Sequence, residues 1–445
     1  MTTTTISPER SEAVFEDFKP AYTLQQAKVE ANRCLYCYDA PCITACPTEI
    51  NIPEFIRRIA SGNVEGSAKT IFESNILGMS CARVCPVEVL CVGSCVYNHM
   101  DVPPIQIGRL QRFSTDTAFE KDWQFFQAGP DTGKSVGLIG AGPASLSAAH
   151  RLRRLGHKVT IYDKANTIGG LNTTGVAPYK LRADASMAEI DWVRKIGGVE
   201  FQLGVDIPAK LSWAELEKRH DALFLGFGLG PDSALDVPGK TLKGVRGAVD
   251  FIAEMKLTRM SFDGVKHVAI IGGGNTAIDV VREMLGLAAA GGTSIESVTM
   301  VYRGVEDGMS GYAHEWSEAK DEGAHAAWQT LPVAFEGTSK VEGIKCVKLD
   351  ANKKPIAGTD HTIPAQLVLL AVGQSKLGAL VAGLDGVKVE KGAIVADAHG
   401  ATGRPGVYAG GDCANGGKEV VNAVAEGRDA ALAMDAFLKK GGRHG

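Results

Sequence analysis

The sequence predicts an α/β protein with a helical N-terminal domain and two parallel-sheet domains, the second inserted in the first. Glycine is abundant, at 53 of 445 residues, and aromatic residues make up only 7% of the chain. That composition favours glycine-rich turns between strands and helices over an all-β sandwich. Eight of the ten cysteines lie between Cys34 and Cys95, ahead of the first predicted strand. At roughly 100 to 200 residues per domain, the chain accommodates about two to four domains.

The charge and hydropathy of the chain argue against two classes of partner. The net charge is −4, with both signs mixed along the sequence, so we expect neither nucleic-acid binding nor attraction to an anionic membrane. The longest apolar runs, such as 367–372, fall far short of the ~18 residues that span a bilayer. The N-terminus lacks the apolar segment of a secretory signal. We therefore expect a soluble, cytoplasmic protein.

Residues 1–130 are predicted to form the helical domain around the cysteines. Thr23 can cap a helix that leads toward Cys34, and apolar residues at helical spacing over 53–60 predict a second helix. The segment 128–133 combines glycine, proline and aspartate, which is typical of a linker.

A strand–turn–helix–strand unit follows the linker. The apolar strand 135–139 enters the turn Gly140-Ala-Gly-Pro-Ala-Ser, which leads into a helix and a second strand over 158–163. This order aims backbone N–H groups and a helix N-terminus at a dinucleotide pyrophosphate. Asp163 ends the second strand, where an acid accepts hydrogen bonds from a ribose. With the nearby glycine turn 168–171, the predicted binding residues are Gly140, Gly142, Pro143, Ala144, Asp163, Lys164, Gly170 and Leu171.

A second unit of the same kind begins at Lys266. Its strand 266–271 turns through Gly272-Gly-Gly-Asn-Thr-Ala into a helix, and a further strand covers 297–303. Two nucleotide-binding turns on two βαβ units predict two Rossmann-like domains.

The remaining strands indicate how the two domains are connected. The glycine-ended apolar segments 221–228 and 366–373 fit crossovers between domains, and the final strand–turn–helix over 406–438 needs a parent sheet. The most economical arrangement returns this tail to the first sheet. We therefore predict a first dinucleotide-binding domain, assigned below to FAD, formed by 131–240 and 375–445, with an NAD(P)H-binding domain inserted as 241–374.

These motifs together resemble those of the flavoproteins with two dinucleotide-binding domains. The matching segments are Gly140-Ala-Gly-Pro-Ala, Ile168-Gly-Gly, Ala371-Val-Gly and the run from Thr402 to Asp412. The resemblance implies FAD in the first domain, with Gly411 and Asp412 near its ribityl and phosphate region and Lys180 approaching it. It implies a nicotinamide cofactor in the second domain, held by Gly272, Gly274, Asn275, Thr276, Arg303 and Gly373.

The end of the second strand of the inserted domain bears on the choice between NADH and NADPH. An acid there suits a free ribose, and arginines suit a 2′-phosphate. Many NADPH-using relatives carry two adjacent basic residues, whereas this chain has Arg303 alone, followed within a few residues by Glu306 and Asp307. The pattern favours NADH, with Arg303 as a solvated side chain remaining an alternative.

The cysteine spacing predicts iron–sulfur clusters. Two quartets, each with a Cys-Pro pair, resemble a lengthened two-cluster ferredoxin arrangement, in which the fourth cysteine of one run serves the other cluster. Eight thiolates suffice for two [4Fe–4S] clusters. Structural zinc also accepts four cysteines, but it would have no redox role beside a flavin domain. Disulfides are disfavoured without a secretory signal, and Cys346 and Cys413 lack the paired spacing of disulfide-reducing flavoproteins.

A narrower resemblance covers nearly the whole chain. Asp39-Ala-Pro-Cys, Asn75-Ile-Leu-Gly, Leu90-Cys-Val-Gly-Ser-Cys and the run from Pro104 to Gln111 resemble the N-terminal part of dihydropyrimidine dehydrogenase, in particular its bacterial NAD-dependent subunit. Glutamate synthase small subunits share the architecture but match these linking residues less well. The resemblance implies one cluster on Cys34, Cys37, Cys42 and Cys95, another on Cys46, Cys85, Cys91 and Gln111, and a non-ligand role for Cys81.

We therefore expect a module that receives electrons from NADH on FAD and relays them through two clusters. Hydride transfer needs no side-chain acid or base, so no catalytic residue is assigned. The 445 residues contain no flavin barrel of about 250 residues, so we expect pyrimidine reduction on a separate subunit that carries FMN and further clusters. One alternative is a glutamate synthase small subunit. Another is an assembly or scaffold protein with a vestigial flavin.

Overall fold

The computed structural model describes residues 6–443 of the chain. They form a helical unit around the cysteines and two five-stranded parallel sheets flanked by helices. The predicted fold class is confirmed. In the described chain no helix combines the length and apolar character needed to cross a bilayer.

The N-terminal unit is a set of short helices whose apolar faces meet around the cysteines. Thr23 caps the first helix through a reciprocal pair of hydrogen bonds with Gln26. The third helix buries Ile52, Phe55 and Ile59. The helices are α1 (Leu24–Ala31), α2 (Pro41–Thr44), α3 (Ile52–Ala60), α4 (Val64–Ser74), α5 (Gly78–Val84) and α6 (Ile107–Glu120), with 3₁₀ turns at Ser11–Val14, Val87–Val89 and Val96–His99.

The first βαβ unit forms where the glycine turn predicted it. Pro143 occupies the first helical position after that turn, where its missing N–H costs nothing. The elements of this part of the chain are β1 (Ser135–Ile139), α7 (Pro143–Arg154), β2 (Lys158–Asp163), α8 (Leu171–Thr174), α9 (Ala183–Arg194), β3 (Val199–Leu203), α10 (Trp213–Arg219) and β4 (Ala222–Leu225).

The inserted unit has its own parallel sheet and a separate antiparallel sheet. The elements of this unit are β5 (Val245–Gly247), α11 (Ala248–Leu257), β6 (His267–Ile271), α12 (Asn275–Ala289), β7 (Ser297–Val301), the 3₁₀ turn Glu306–Gly308, α13 (Ala313–Asp321), β8 (His325–Ala327), β9 (Thr330–Glu336), β10 (Gly343–Lys348), β11 (His361–Pro364) and β12 (Leu367–Leu370). The parallel sheet has the order β5-β12-β6-β7-β8, and β11, β10 and β9 form the antiparallel one.

The C-terminal segment returns to the first sheet, where its strand β15 (Val407–Ala409) completes the order β15-β4-β1-β2-β3. Its long last helix crosses α7 so closely that a Cβ at Gly427 would lie 2.0 Å from the Ala144 carbonyl oxygen. The elements are the 3₁₀ turn Gly378–Gly383, β13 (Val389–Glu390), β14 (Ala393–Ile394), β15 (Val407–Ala409), α14 (Asp412–Asn415) and α15 (Val420–Leu438).

The two parallel sheets share a topology that creates a ligand crevice in each. In both, the chain runs outward through three adjacent strands and then returns to the other side of the starting strand, β1 or β6. The strand order therefore reverses beside the glycine turn, the point at which open α/β sheets bind ligands.

The two crossovers between these units run side by side. The Gly230 N–H donates to the Ser375 carbonyl at 2.8 Å, and the Ser375 N–H donates back to Pro231 at 2.9 Å. The Ser233 N–H donates to the Gly373 carbonyl at 2.8 Å. The inserted unit therefore leaves and rejoins the first unit through one hydrogen-bonded pair of segments.

Candidate functional site

A cavity of about 520 Å³ lies where the three units meet. The first unit lines most of it, with residues from both of its glycine turns and from the C-terminal segment. Asn275, Asp279, Tyr312 and Glu315 line it from the inserted unit, and Val84 and Pro86 from the cysteine unit. The predicted residues that it brings together are Gly140, Gly142, Pro143, Ala144, Asp163, Gly170, Leu171, Lys180, Gly411, Asp412 and Asn275.

The first glycine turn has the shape of a phosphate cradle. Gly140 has φ +97°, and a Cβ there would lie 2.4 Å from the Gly226 carbonyl oxygen, so only glycine fits. A Cβ at Gly142 would meet nothing within 4 Å, because this residue faces the cavity at the start of α7. A side chain at Gly142 would therefore occupy the space in which helix N–H groups can reach an anion. The turn fits a dinucleotide pyrophosphate.

The second glycine turn packs directly onto the first. Gly170 has φ +54°, and a Cβ there would lie 3.0 Å from the Gly142 Cα. Leu171 begins α8 immediately afterwards. The two turns thus form one continuous wall of backbone along the cavity.

Asp163 ends β2 beside the cradle, as predicted, and braces the turns on either side of it. Its Oδ2 accepts a hydrogen bond from the Ala141 N–H and its Oδ1 accepts one from the Ala165 N–H, both at 2.7 Å. Burial raises the pKa of this carboxyl. Lys164 is exposed and does not line the cavity.

Gly411 and Asp412 approach the cavity from the C-terminal segment. Gly411 has φ +73° and its N–H donates to Glu426 Oε2 at 2.6 Å. Asp412 Oδ1 accepts a hydrogen bond from the Lys418 N–H at 3.3 Å, and burial raises the pKa of Asp412.

Lys180 is buried between two carboxylates of the inserted unit. Its Nζ lies 2.8 Å from Asp279 Oδ1 and 2.6 Å from Glu315 Oε1. Burial works to lower the pKa of Lys180, but the two carboxylates outweigh it and raise the pKa above its usual value. The sequence singled out Lys180 and neither partner, because the partners lie about 100 and 135 residues further along the chain.

Two tyrosines add further contacts across the same boundary. The Tyr179 hydroxyl donates to Asp279 Oδ1 at 2.8 Å, and the Tyr312 hydroxyl donates to Glu419 Oε1 at 2.8 Å. Burial, followed by the neighbouring Glu419, raises the pKa of Tyr312. The inserted unit therefore closes one side of the cavity through buried polar contacts.

The glycine turn of the inserted unit, at Gly272, repeats the geometry of the Gly140 turn. Gly272 has φ +146°, and a Cβ there would lie 2.3 Å from the Ala371 carbonyl oxygen. Gly274 caps α12, which begins at Asn275, and Asn275 Oδ1 accepts a hydrogen bond from the Tyr312 N–H at 2.9 Å. Of the residues predicted for the nicotinamide cofactor, Gly272, Gly274, Thr276, Arg303 and Gly373 lie outside the cavity lining.

Arg303 follows the end of β7 and lies beside the Gly272 turn. The Tyr302 ring covers the turn, since a Cβ at Gly273 would lie 2.5 Å from it. Arg303 is exposed and has no ion pair or hydrogen bond with residues 6–443. Glu306 pairs with Lys320 instead.

Four predicted iron ligands line one small cavity in the cysteine unit. It measures about 30 Å³ and its wall includes Cys34, Cys37, Cys42 and Cys95. Burial, together with Cys34 and Cys95, raises the pKa of Cys42 to about 12. Because thiolates are the iron ligands, cluster binding at this position must displace a proton.

The other predicted ligands gather around Cys85. The Cys81 thiol hydrogen bonds to Cys85 and, with burial and the nearby Cys91 and Cys46, raises the pKa of Cys85. Gln111 is buried, and its Nε2 donates to the Gly78 carbonyl at 2.8 Å. The Gln111 Oε1 is thus the amide atom available to a metal. Cys81 thus belongs to this group, and Gln111 contacts the first residue of α5, the helix that carries Cys81.

The donor set consists of thiols. Eight cysteines lie in two separate groups, one around the small cavity and one around Cys85. Thiolates are the ligands that iron–sulfur clusters take, so the residues present fit such clusters.

The two groups lie at different distances from the main cavity. Val84 and Pro86 flank Cys85 in the chain and line the main cavity, whereas none of the four cysteines of the first group does. The Cys85 group is therefore the one adjacent to the main cavity. Tyr38, between Cys37 and Cys42, is 98% exposed, so the first group lies near the surface.

Glu189 is a buried residue near the site that sequence reasoning missed. Its carboxylate accepts hydrogen bonds from the Met79 N–H at 2.8 Å and from the Ser80 N–H and hydroxyl. Asn172, which lines the main cavity, donates to the same Ser80 hydroxyl at 2.9 Å. Glu189 thus ties the start of α5 to the first parallel-sheet unit.

Comparisons with known proteins agree with this arrangement. Residues 10–123 match the family description "dihydropyrimidine dehydrogenase domain II, 4Fe-4S cluster", and residues 134–427 match "pyridine nucleotide-disulphide oxidoreductase". The NAD-dependent dihydropyrimidine dehydrogenase subunit PreT of Escherichia coli K12 is 35% identical, over 95% of this chain and 97% of that protein. The glutamate synthase [NADPH] small chain of Halomonas elongata is 34% identical, over 94% of this chain and 91% of that protein.

Solved structures share the fold of the two parallel-sheet units. FprA from Mycobacterium tuberculosis, in complex with NADPH, has a TM-score of 0.57 at 19% identity, covering 70% of this chain and 85% of its own. Thioredoxin reductase from T. acidophilum has a TM-score of 0.52 at 21% identity, covering 68% and 98%. The chain belongs to the pyridine nucleotide-disulphide oxidoreductase family, in the group that carries an N-terminal 4Fe–4S domain and includes PreT subunits and glutamate synthase small chains.

Proposed function

We propose that the chain is the electron-accepting subunit of an NAD-dependent dihydropyrimidine dehydrogenase. It oxidises NADH on FAD and passes electrons through two [4Fe–4S] clusters to a separate FMN and iron–sulfur subunit, which reduces uracil or thymine to the 5,6-dihydropyrimidine. The observation that carries the proposal is the shared cavity. Its walls combine a phosphate cradle, a second dinucleotide-binding unit and the residues on either side of Cys85.

The residues of the first unit hold FAD in this proposal. Gly140, Gly142 and the start of α7 receive the pyrophosphate, while Asp163 braces the cradle beside the ribose. Bound FAD would accept a pair of electrons from the nicotinamide cofactor and give them up singly, as one-electron clusters require. The chain binds, orients and excludes water, and no side chain has to act as an acid or base.

The cluster ligands are assigned as the resemblance implies. Cys34, Cys37, Cys42 and Cys95 hold the outer cluster, and their common small cavity supports this grouping. Cys46, Cys85, Cys91 and Gln111 hold the inner one, supported by the proximity of the thiols to Cys85 and by the free Gln111 Oε1. The Cys85 group would hold the cluster nearer the flavin, because Val84 and Pro86 line the cavity, and the first group would hold the cluster nearer the surface.

The nicotinamide cofactor is proposed to be NADH. Arg303 is the arginine beside the Gly272 turn, and acids follow it in the chain. This pattern supports a free ribose more than a 2′-phosphate. The unpaired, exposed side chain of Arg303 is the feature that favours NADPH.

Glutamate synthase small chain is the second candidate. The comparisons favour it as strongly, because relatives of that name have 30–34% identity and PreT relatives 34–35%. In that case the same electron path would serve glutamate synthesis on a different partner.

Consumption of NADH by the chain with and without its co-expressed partner tests the proposal. We expect uracil to stimulate NADH consumption only when the partner subunit is present, because the proposal places pyrimidine reduction on that partner. Stimulation by glutamine and 2-oxoglutarate, or co-purification with a subunit that has a glutamine amidotransferase domain, would identify glutamate synthase instead.

A dye-reduction control separates both enzymes from a scaffold protein. If NADH fails to bleach the flavin and no artificial dye is reduced, the chain is not an electron carrier. Metal analysis that finds zinc without iron and sulfide would exclude the relay.

A further inference from the structure

A short N-terminal segment, residues 10–20, contacts all three units and is called the strap below. Near its start, the Ser11 N–H donates to the Thr258 carbonyl of the inserted unit at 2.9 Å. At its end, the Pro20 carbonyl accepts a hydrogen bond from Arg109 of α6 at 3.0 Å. The two ends of the strap are therefore attached to different units.

Phe15 anchors the strap in the inserted unit. Its side chain is buried among apolar residues of α11 and α12. A Cβ at Gly286, inside α12, would lie 2.6 Å from the Phe15 ring. Glycine within a helix is destabilising relative to alanine. The space that Gly286 leaves is filled by Phe15, so α12 contains a seat for the strap.

Glu12 connects the strap to the first unit. It is fully buried, and its Oε1 and Oε2 accept hydrogen bonds from the N–H of Ala183, the first residue of α9, at 2.9 and 3.1 Å. Its charge also acts on Lys256 of the inserted unit, whose Nζ donates to the Leu181 carbonyl at 2.6 Å. Burial lowers the pKa of Lys256 to about 8, and Glu12 opposes that shift. Glu12 therefore supplies a counter-charge for a buried lysine that crosses the boundary between two units.

The remaining residues of the strap contact the first unit and the cysteine unit. The Phe18 N–H donates to the Tyr179 carbonyl at 3.2 Å, and the two rings meet edge-on with their centres 5.6 Å apart. Arg112 of α6 pairs with Asp17 and donates to the Lys19 carbonyl. Every second or third residue of the strap thus binds one of the units.

The connection between the inserted unit and the first unit has the form of a hinge. Two crossovers join these units, and they are hydrogen bonded to each other at Gly230 and Ser375. Hinges of this kind consist of a few loop residues, and rotation about them changes the orientation of a whole unit. Relative motion is the usual behaviour of units joined in this way. The strap lies apart from the crossovers in the chain and holds both units, so it opposes such a rotation.

We propose that the strap holds the inserted unit in the orientation that presents its nicotinamide cofactor to the flavin, with Glu12 and Phe15 as positioning residues. The inference rests on the proposed oxidation of a nicotinamide cofactor by FAD. Neither residue lines the main cavity, so both act through the orientation of the unit and not through contact with the cofactors. A misplacement of reacting groups by about 1 Å can slow a reaction about 100-fold.

Reduction of the flavin in the FAD-loaded full chain separates orientation from binding. Stopped-flow absorbance gives the limiting rate of reduction and the apparent Kd for NADH. We expect Phe15→Ala and Glu12→Gln to lower the limiting rate by about tenfold or more and to leave Kd within about twofold of wild type. Val14→Ala changes an exposed residue of the strap and should match the wild-type chain in both quantities. Flavin content reports the folding of each variant.

Gly286→Ala distinguishes the strap from a general contribution to stability. Alanine favours the helix, but its methyl group would displace the Phe15 ring from the seat in α12. Gly286 lies about three turns from the start of α12, away from the Gly272 turn. We expect the limiting rate to fall as in Phe15→Ala, with no further fall in the double variant, because the seat is then already empty. This variant leaves the sequence of the strap intact and serves where a strap variant does not retain flavin.

Hydrogen exchange of the crossovers, residues 230–233 and 373–375, tests the strap independently of the chemistry. Their amides should exchange faster in Phe15→Ala and Glu12→Gln than in the wild-type chain and Val14→Ala. Failure of NADH and NADPH to reduce the wild-type flavin would contradict the proposed function, and the exchange rates would still test the strap.

Three results would overturn the inference. One is a wild-type limiting rate in both Phe15→Ala and Glu12→Gln. Another is a rise in Kd that accounts for the whole loss of activity, which would mean that these residues support cofactor binding. The third is unchanged hydrogen exchange at the crossovers, which would show that the strap does not restrain the hinge.

Discussion

At the residue scale, Cys81 and Gln111 are the two candidates for the fourth ligand of the proposed inner cluster. Cysteine spacing alone selects Cys81, and the resemblance to dihydropyrimidine dehydrogenase selects Gln111. The structure places Cys81 against Cys85 and leaves Gln111 Oε1 free beside the same helix. An amide oxygen is a harder donor than a thiolate, so the choice affects the potential of the cluster.

Replacing each residue by alanine separates these possibilities. With Gln111 as the ligand, Cys81→Ala should retain the full iron and sulfide content, whereas Gln111→Ala should lose one cluster or shift its potential. Iron analysis and electron paramagnetic resonance of the dithionite-reduced chain measure both effects. Loss of a cluster in Cys81→Ala, with Gln111→Ala unchanged, would reverse the assignment.

Local sequence patterns predicted the residues whose role depends on their own strand–turn–helix unit. They missed the residues whose role depends on contacts with another unit. Gly140, Asp163 and Gly272 belong to strand–turn–helix units whose spacing reveals them. Asp279 and Glu315 matter because they reach Lys180 from another unit, and nothing in their local sequence indicates that contact. The Asp163 carboxylate, predicted for a ribose, also braces the turns on both sides of it.

At the element scale, α5 links the main cavity to the inner group of cysteines. Glu189 accepts hydrogen bonds from the first turn of α5, and Cys85 follows its last turn. Burial raises the pKa of Glu189 to about 7, although the hydrogen bonds from Ser80 and Met79 oppose that shift. Nothing in the local sequence indicates this role, because the groups that donate to Glu189 lie about 110 residues earlier in the chain.

The raised pKa gives Glu189 a defined effect on stability. A carboxyl whose pKa rises on folding contributes stability that is fully present below its unfolded pKa and is lost as pH increases through the folded value. Here that window runs from about 4.5 to about 7. Glu189→Gln, which cannot ionise, should therefore gain Tm relative to wild type between pH 5.5 and pH 8.

Thermal unfolding of the two proteins at both pH values measures the effect. Other buried carboxyls are common to both chains and cancel in the comparison. Glu200→Gln, at an exposed position of β3, is the control and should show no such change. An unchanged Tm difference would mean that Glu189 keeps its unfolded pKa.

At the scale of the whole molecule, an aromatic cluster joins the cysteine unit to the first sheet. Phe72 of α4 and Phe119 of α6 lie 4.5 and 5.2 Å from the ring of Trp192 of α9. The Trp192 Nε1 donates to the Trp123 carbonyl at 2.9 Å. The insertion of one unit in the other was predictable from the order of motifs, whereas this cluster arises from residues that the sequence separates.

Removing the central ring should weaken the connection between the units. Trp192→Ala empties a buried aromatic site, and we expect a loss of about 3–5 kcal/mol in the free energy of unfolding. Cluster absorbance and flavin fluorescence should then follow separate thermal transitions, which should coincide in the wild-type chain. Coincident transitions in the variant would show that other contacts hold the units together.

The paired crossovers of the inserted unit have a consequence for how such proteins diversify. Because Gly230 and Ser375 are hydrogen bonded, the two ends of the insertion lie next to each other. A foreign domain with adjacent termini could replace residues 232–374 without altering the strand order of the host sheet. Recombination at this one point could exchange the electron donor of the protein while leaving its flavin and cluster units unchanged.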